Sequence, residues 1–271
     1  MVHSGVYSCG IGPSVITFHS SLSSGRQWLP LSSQLKQEYT FFHFDLLRYG
    51  KAPTLAQGQS YRFSQEIARV QWLIEKEKII EPIHIVGHSC GGAVALKFAV
   101  EHPHLVRSLT LFEPVAFHLL EKGTKFRALA DKFAQDVASH DSEQAAEIFT
   151  NFWNDNGFYR TLPQKVQQLM AKDMASVNQD FEALTAETYG EEALALLSFP
   201  TMILTGEQSP ELGQFLAKHI AQMIPAARLK TLPVGHMGPV NKADIVQPEI
   251  AAFIKEVDSY IGDKRIKKAQ L

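Results

Sequence analysis

Ile83-His84-Ile85-Val86-Gly87-His88-Ser89-Cys90-Gly91-Gly92-Ala93-Val94-Ala95-Leu96-Lys97-Phe98-Ala99 is the stretch on which the fold turns. Its first four residues form a run of strand length, and its last seven are the small and apolar residues of a helix that packs close to a sheet. Between them stands Gly87-x-Ser89-x-Gly91. At ordinary glycine and serine frequencies this spacing arises by chance in about one chain of this length in ten, so the spacing alone decides little. Its place between a predicted strand and a predicted helix decides more. A chain that turns sharply from strand to helix forces the apical residue into a strained conformation, and flanking glycines remove side chains that would clash there. The serine hydroxyl is then exposed at the carboxyl edge of the sheet. It also sits at a helix start, where unpaired N–H groups favour a developing oxyanion. In the competing reading, Ser89 is only a helix cap and the glycines only let the helix pack.

Outward from this turn, short apolar runs predict strands at Val6–Cys9, Ser14–Phe18, Thr40–Phe44, Ile83–Val86, Val106–Phe112, Thr201–Thr205 and Arg228–Leu232. Helical periodicity appears around Gln27–Leu35 and over Ser60–Lys78, where Phe63, Ile67, Val70 and Ile74 share a face. It returns at Leu212, Phe215, Leu216, Ile220 and Met223, and in a closing helix with Ile250, Phe253, Ile254 and Val257. From 116 to 192 the texture is helical throughout, with no strand signal. Alternating strands and helices on both sides of such a stretch predict an α/β fold: a mostly parallel sheet with helices on both faces. The expected division is a core of residues 1–115 and 193–271, with 116–192 inserted as a helical cap.

Composition narrows the partners. The 271 residues carry 26 basic and 28 acidic side chains, a net charge of −2, which lacks the basic footprint of a nucleic-acid binder. No apolar run reaches the length of a membrane span. Two cysteines, Cys9 and Cys90, cannot build a disulfide framework and lack zinc-site spacing. The first residues, Met1 to Cys9, have neither a basic opening nor an apolar segment of signal-peptide type, so a cytoplasmic location is expected, with both thiols reduced. The charged stretch 263–268 reads as a solvated tail. A small-molecule substrate, with neither nucleic acid nor membrane as partner, is the expectation.

A serine nucleophile needs a base. His236, in Val234-Gly235-His236-Met237-Gly238, follows the last predicted strand at a carboxyl end, where sites of open α/β sheets collect. His43 and His84 fall within strands and His219 on a helix face, positions that suit structural roles. The base in turn needs a carboxylate to hold its tautomer. Two loops offer one: Glu113, after the strand that follows the elbow, and Glu207, in Thr205-Gly206-Glu207-Gln208-Ser209.

These residues resemble the α/β-hydrolase fold superfamily, in its serine hydrolase branch with a helical cap, from about Val6 to Ile261. The family's His-Gly loop, nucleophile elbow and terminal histidine correspond to His19-Ser20, Gly87–Gly91 and His236, in the family's order of serine, acid, histidine. The resemblance implies a catalytic set of Ser89, His236 and Glu113, with Glu207 as alternative acid. Ser209 stands where the family often has aspartate, and some members place the acid where Glu113 lies. It implies oxyanion donors at the backbone N–H groups of Ser21 and Cys90, a loop-orienting role for His19, and a structural loop around Asp45 and Arg48. Ser20 stands where glycine is usual. Phe117, Trp153, Phe158 and Tyr159 are candidates for a pocket wall, or else plain core. No cofactor or metal is required. The activity implied is hydrolysis of a small carboxylic ester or related acyl compound. Carbon-carbon bond hydrolysis of a diketone, and a weakly catalytic ligand receptor on the same scaffold, are the alternatives.

Overall fold

A computed structural model describes residues 4–269, with side chains described through Tyr260. In chain order the elements are β1 (Val6–Gly10), β2 (Ser14–Phe18), α1 (Leu29–Leu35), β3 (Thr40–Phe44), α2 (Phe63–Lys76), β4 (Ile83–His88), α3 (Cys90–Glu101) and β5 (Val106–Phe112). A helical excursion follows: α4 (Lys125–Ser139), α5 (Ser142–Trp153), α6 (Phe158–Thr161), α7 (Gln164–Lys172), α8 (Met174–Ala186) and α9 (Glu191–Leu194). The chain then returns to β6 (Thr201–Gly206), α10 (Glu211–Met223), β7 (Ala227–Leu232), α11 (Gly238–Asn241) and α12 (Ala243–Ala269). The side chains of the charged stretch 263–268, read as a solvated tail, lie outside the described ones, as do the first three and last two residues.

The seven strands lie in the order β1-β3-β2-β4-β5-β6-β7. Only β1 runs antiparallel, beside β3, with Val6 opposite Phe44 and Gly10 opposite Thr40. Every other pairing is parallel. The period-two alternation of the strands sorts their side chains onto two covered faces. Ile16, Phe42, Ile85 and Leu111 pack with α2, α3 and α10, whereas Val15, Phe41, Val86 and Leu204 pack with α1 and α12. This is why the central strands read as continuous apolar runs.

One element is shorter than its periodicity predicts. The helix expected over Ser60–Lys78 begins at Phe63, because the Arg62 N–H donates to Gln65 Oε1 at 2.9 Å. It stops before Lys78, which takes the left-handed φ of 53°.

The strand order positions the site. The chain leaves β2 toward β3 on one side, then crosses back over β2 to β4 and continues the other way to β7. The reversal between β2 and β4 is a topological switch point, where the loops leaving neighbouring carboxyl ends diverge and open a crevice. The loop His19-Ser20-Ser21 and the elbow at Ser89 are the two lips of that crevice.

Candidate active site

Ser89 sits between β4 and α3 at φ 55° and ψ −119°, a strained conformation for a residue with a side chain. The surrounding backbone leaves no slack. A Cβ on Gly91 would lie 2.3 Å from the His19 carbonyl oxygen, and one on Gly87 would lie 2.5 Å from the Gly91 oxygen. Gly91 therefore lets the two lips touch, and Gly87 lets α3 turn back tightly against its own elbow. Cys90 opens α3, so its N–H belongs to the first-turn donors without an intrahelical acceptor. Its thiol is fully buried, and burial pushes its pKa well above the usual value, which removes it as a nucleophile.

Three side chains from distant parts of the chain meet above this edge. Ser89 Oγ is 3.0 Å from His236 Nε2, and His236 Nδ1 is 2.6 Å from Glu113 Oε2. An ionised carboxylate only accepts, so Nδ1 carries the ring proton, and the Nε2 lone pair faces the serine hydroxyl. Glu113 is fully buried at φ 42°, and its other oxygen accepts from Thr205 Oγ1 at 2.7 Å and from the Gly206 N–H at 2.8 Å. Burial pushes its pKa up, but the hydrogen bond and charge of His236 and the Gly206 N–H outweigh that, leaving the carboxyl below its usual value. Glu207 is exposed on the loop after β6, so of the two glutamates it is Glu113 that meets the imidazole.

The loops beneath are tied by a second set of bonds. Gln27 Nε2 donates to His88 Nδ1 at 3.1 Å, and His88 Nε2 donates to the His236 carbonyl at 2.9 Å. Gln27 Oε1 in turn accepts from the Ser20 N–H and hydroxyl, both at 3.3 Å, which gives the serine in place of glycine a partner. His19 accepts from the Leu46 N–H at Nε2, 2.9 Å, and donates from Nδ1 to the Ser20 oxygen at 2.6 Å. Burial lowers its pKa to about 4. His19 is thus a neutral brace for its loop, outside the serine-imidazole line.

In front of Ser89 lies a narrow pocket. Ser21, Phe117 and Trp153 line it. Phe158 and Tyr159 do not. Phe158 is half-buried at the start of α6, and Tyr159 turns the other way, its hydroxyl donating to the Gln167 oxygen of α7 at 3.2 Å. Helical spacing gave no means of telling the two directions apart.

Among the wall residues that sequence reasoning missed, the carboxylate is Asp180 of α8. It is buried, with Oδ1 accepting from Arg48 Nη2 at 2.6 Å and Oδ2 accepting from Ser21 Oγ and Tyr49 OH, each at 2.6 Å. Burial opposes the charge on Arg48, yet Asp180 raises its pKa above the ordinary value, so the guanidinium stays charged. The signal was available: Val177, Phe181 and Leu184 make an apolar stripe, and Asp180 falls on it. Gly213 of α10 was missed as well. A Cβ there would lie 2.8 Å from Glu113 Oε2.

A mostly parallel sheet whose switch point carries a strained serine facing an imidazole defines a hydrolase. The chain belongs to the alpha/beta hydrolase fold family, whose description matches residues 13–243. It is 24% identical over 250 residues to 3-oxoadipate enol-lactonase 1 of Acinetobacter baylyi, covering 89% of each chain. It is 32% identical over 127 residues to the probable lysophospholipase BODYGUARD 1 of Arabidopsis thaliana, 44% of this chain but only 27% of that protein. The chain thus spans about a quarter of the length of that plant relative. Among solved structures, the esterase EaEST of Exiguobacterium antarcticum superposes with a TM-score of 0.75 at 18% identity, over 92% of this chain and 94% of that one. Among the described residues no helix is long and apolar enough to cross a membrane.

Proposed function

We propose that the chain hydrolyses small carboxylic esters or related acyl compounds through Ser89, His236 and Glu113. The observation that carries this reading is the unbroken line of hydrogen bonds from Glu113 through His236 to Ser89. His236 Nε2 takes the hydroxyl proton as Ser89 Oγ bonds to the substrate carbonyl carbon, and the carbonyl electron pair moves onto oxygen. The backbone N–H groups of Ser21 and Cys90 receive that oxyanion. The imidazolium then gives its proton to the departing alcohol. Water, activated in the same way, releases the acid and restores the serine. Glu113 keeps its charge throughout and stabilises the imidazolium without accepting its proton.

The substrate is a small molecule, and residues 116–192 act as the cap over it. The pocket in front of Ser89 is narrow, about 10 Å³ or room for roughly one water molecule, and its walls are chiefly aromatic and aliphatic, a fit for a small acyl group rather than a bulky one. The naming of one relative as an enol-lactonase and of a structural neighbour as an esterase supports ester chemistry.

The test is covalent labelling with a fluorophosphonate together with turnover of p-nitrophenyl acetate. Stoichiometric modification at Ser89 is expected, and it disappears in Ser89→Ala and in His236→Ala along with nearly all turnover, a loss of at least about 10⁴ in kcat. An inert Ser89 in the folded protein refutes the enzymatic reading and leaves the receptor.

A further inference from the structure

The helical excursion places one side chain directly on the base. Trp153, the last residue of α5, lies over the His236 imidazole with ring centroids 3.9 Å apart and planes inclined by 25°. The indole is buried and cannot swing freely. Phe152 meets it edge-on at 4.9 Å and Phe133 at 5.8 Å, and those two rings stack on each other at 3.8 Å. The imidazole edges are already taken, Nδ1 by Glu113 and Nε2 by Ser89. The neighbouring His88 ring is 5.1 Å away and is held neutral by burial, reinforced by the charge of His236. A positive charge arriving on His236 therefore meets Glu113 in the plane of the ring and the Trp153 π-face above it.

We propose that Trp153 is a positioning residue for the base: its indole fixes the plane of the His236 ring and stabilises the imidazolium more than the neutral imidazole. An indole face attracts a cation through its quadrupole, most strongly where water is excluded. The neutral ring gains packing alone. Only a contact that strengthens on the way to the transition state speeds the reaction, and this one does so each time His236 holds the serine or water proton. Acylation and deacylation both form the imidazolium, so Trp153 serves both steps to the same extent. This rests on the Ser89-His236-Glu113 reading above and adds to it a contact from outside the sheet.

The experiment compares Trp153→Phe and Trp153→Leu with the native chain on p-nitrophenyl acetate and p-nitrophenyl butanoate. Burst and steady-state rates are recorded, with thermal denaturation as the check on folding. The expected result is a tenfold to thirtyfold fall in kcat for Trp153→Leu, the size of a desolvated cation–π contact. Trp153→Phe should be intermediate, KM should change less than about threefold, and the loss should be equal for the two acyl groups and for burst and steady state. A loss confined to KM, or one that differs between acetyl and butanoyl esters, identifies a mere pocket wall and overturns the proposal. So does an unchanged kcat, or a Phe variant no better than the Leu variant. His236→Ala run in parallel separates the two levels. Retained turnover there sinks the triad and the Trp153 role together, whereas a dead His236→Ala beside an indifferent Trp153→Leu sinks the Trp153 role alone.

Discussion

The pocket has a floor and a roof, and they are built on different physics. The floor residues Ser89, Glu113 and His236 stand on loops at strand ends, where backbone demands are severe: two of the three have positive φ, and Gly87 and Gly91 admit no side chain. The roof residues Trp153, Phe181 and Asp180 project from ordinary helices and are placed by side-chain contacts rather than by backbone strain. A backbone demand leaves a motif in the sequence, because few residues satisfy it. Packing leaves only a period, because many do.

The floor should therefore be intolerant of chemically minimal change. The largest contrast is between the two glutamates. Glu113→Gln removes the charge behind Nδ1 and lets the amide donate toward it, favouring the wrong tautomer. Turnover of p-nitrophenyl acetate is expected to fall about 10⁴-fold in a folded protein. Glu207→Gln alters an exposed loop residue and should leave kcat within about twofold. The reverse pattern would move the acid to the other loop.

That contrast tracks what could be read from the residues alone. The strands, the elbow, His236 and the preference for Glu113 were legible because each follows an apolar run at a carboxyl end, where loops are short and their chemistry is constrained. Arg48 was readable only as part of a structural loop. Its guanidinium serves Asp180, a residue 132 positions later, and no local pattern encodes a partner at that distance. Phe158 and Tyr159 share the aromatic cluster with Trp153, yet only Trp153 reaches the cavity. Which face of a helix meets the sheet depends on how α4, α5 and α8 pack together, and that is a tertiary outcome.

Asp180 is where roof and floor are bonded together, so it offers a way to break the comparison. Its carboxylate holds the hydroxyl of Ser21, the proposed oxyanion donor, along with Arg48 and Tyr49. Asp180→Asn keeps the shape but leaves the buried Arg48 charge unbalanced and one acceptor oxygen fewer for three donors. Losing an oxyanion donor outright costs about 10²–10³ in kcat, so loosening its loop is expected to cost about 10–100-fold. Urea denaturation should reveal a destabilisation of about 3 kcal/mol from the unpaired charge. Full activity in this variant would mean that the floor stands without help from the roof.

The smallest expected effect concerns stability rather than rate, and it assigns acid sensitivity to floor or roof. His19 and His43 lie in the floor, fully buried, and His118 lies in the short turn at the root of the roof, half-buried beside Tyr189. Burial lowers the pKa of all three to about 4. In the unfolded chain these rings titrate near 6.5, so between pH 6.5 and 4 the unfolded state binds more protons and stability rises with pH. The contribution is complete above 6.5 and is lost as pH falls through that window. Each fully buried ring gives up about 2 kcal/mol between pH 7 and pH 5, an average slope of about 1 kcal/mol per pH unit. Urea titrations at half-unit intervals should show this slope reduced by one ring's share in His43→Asn, whatever that variant's stability at pH 7. Removing His118 should reduce it by about the same share, because its ring nitrogens are buried as well and its pKa is lowered to about 4. A slope that falls more with His118 than with His43 would place the acid-sensitive part of the molecule in the roof.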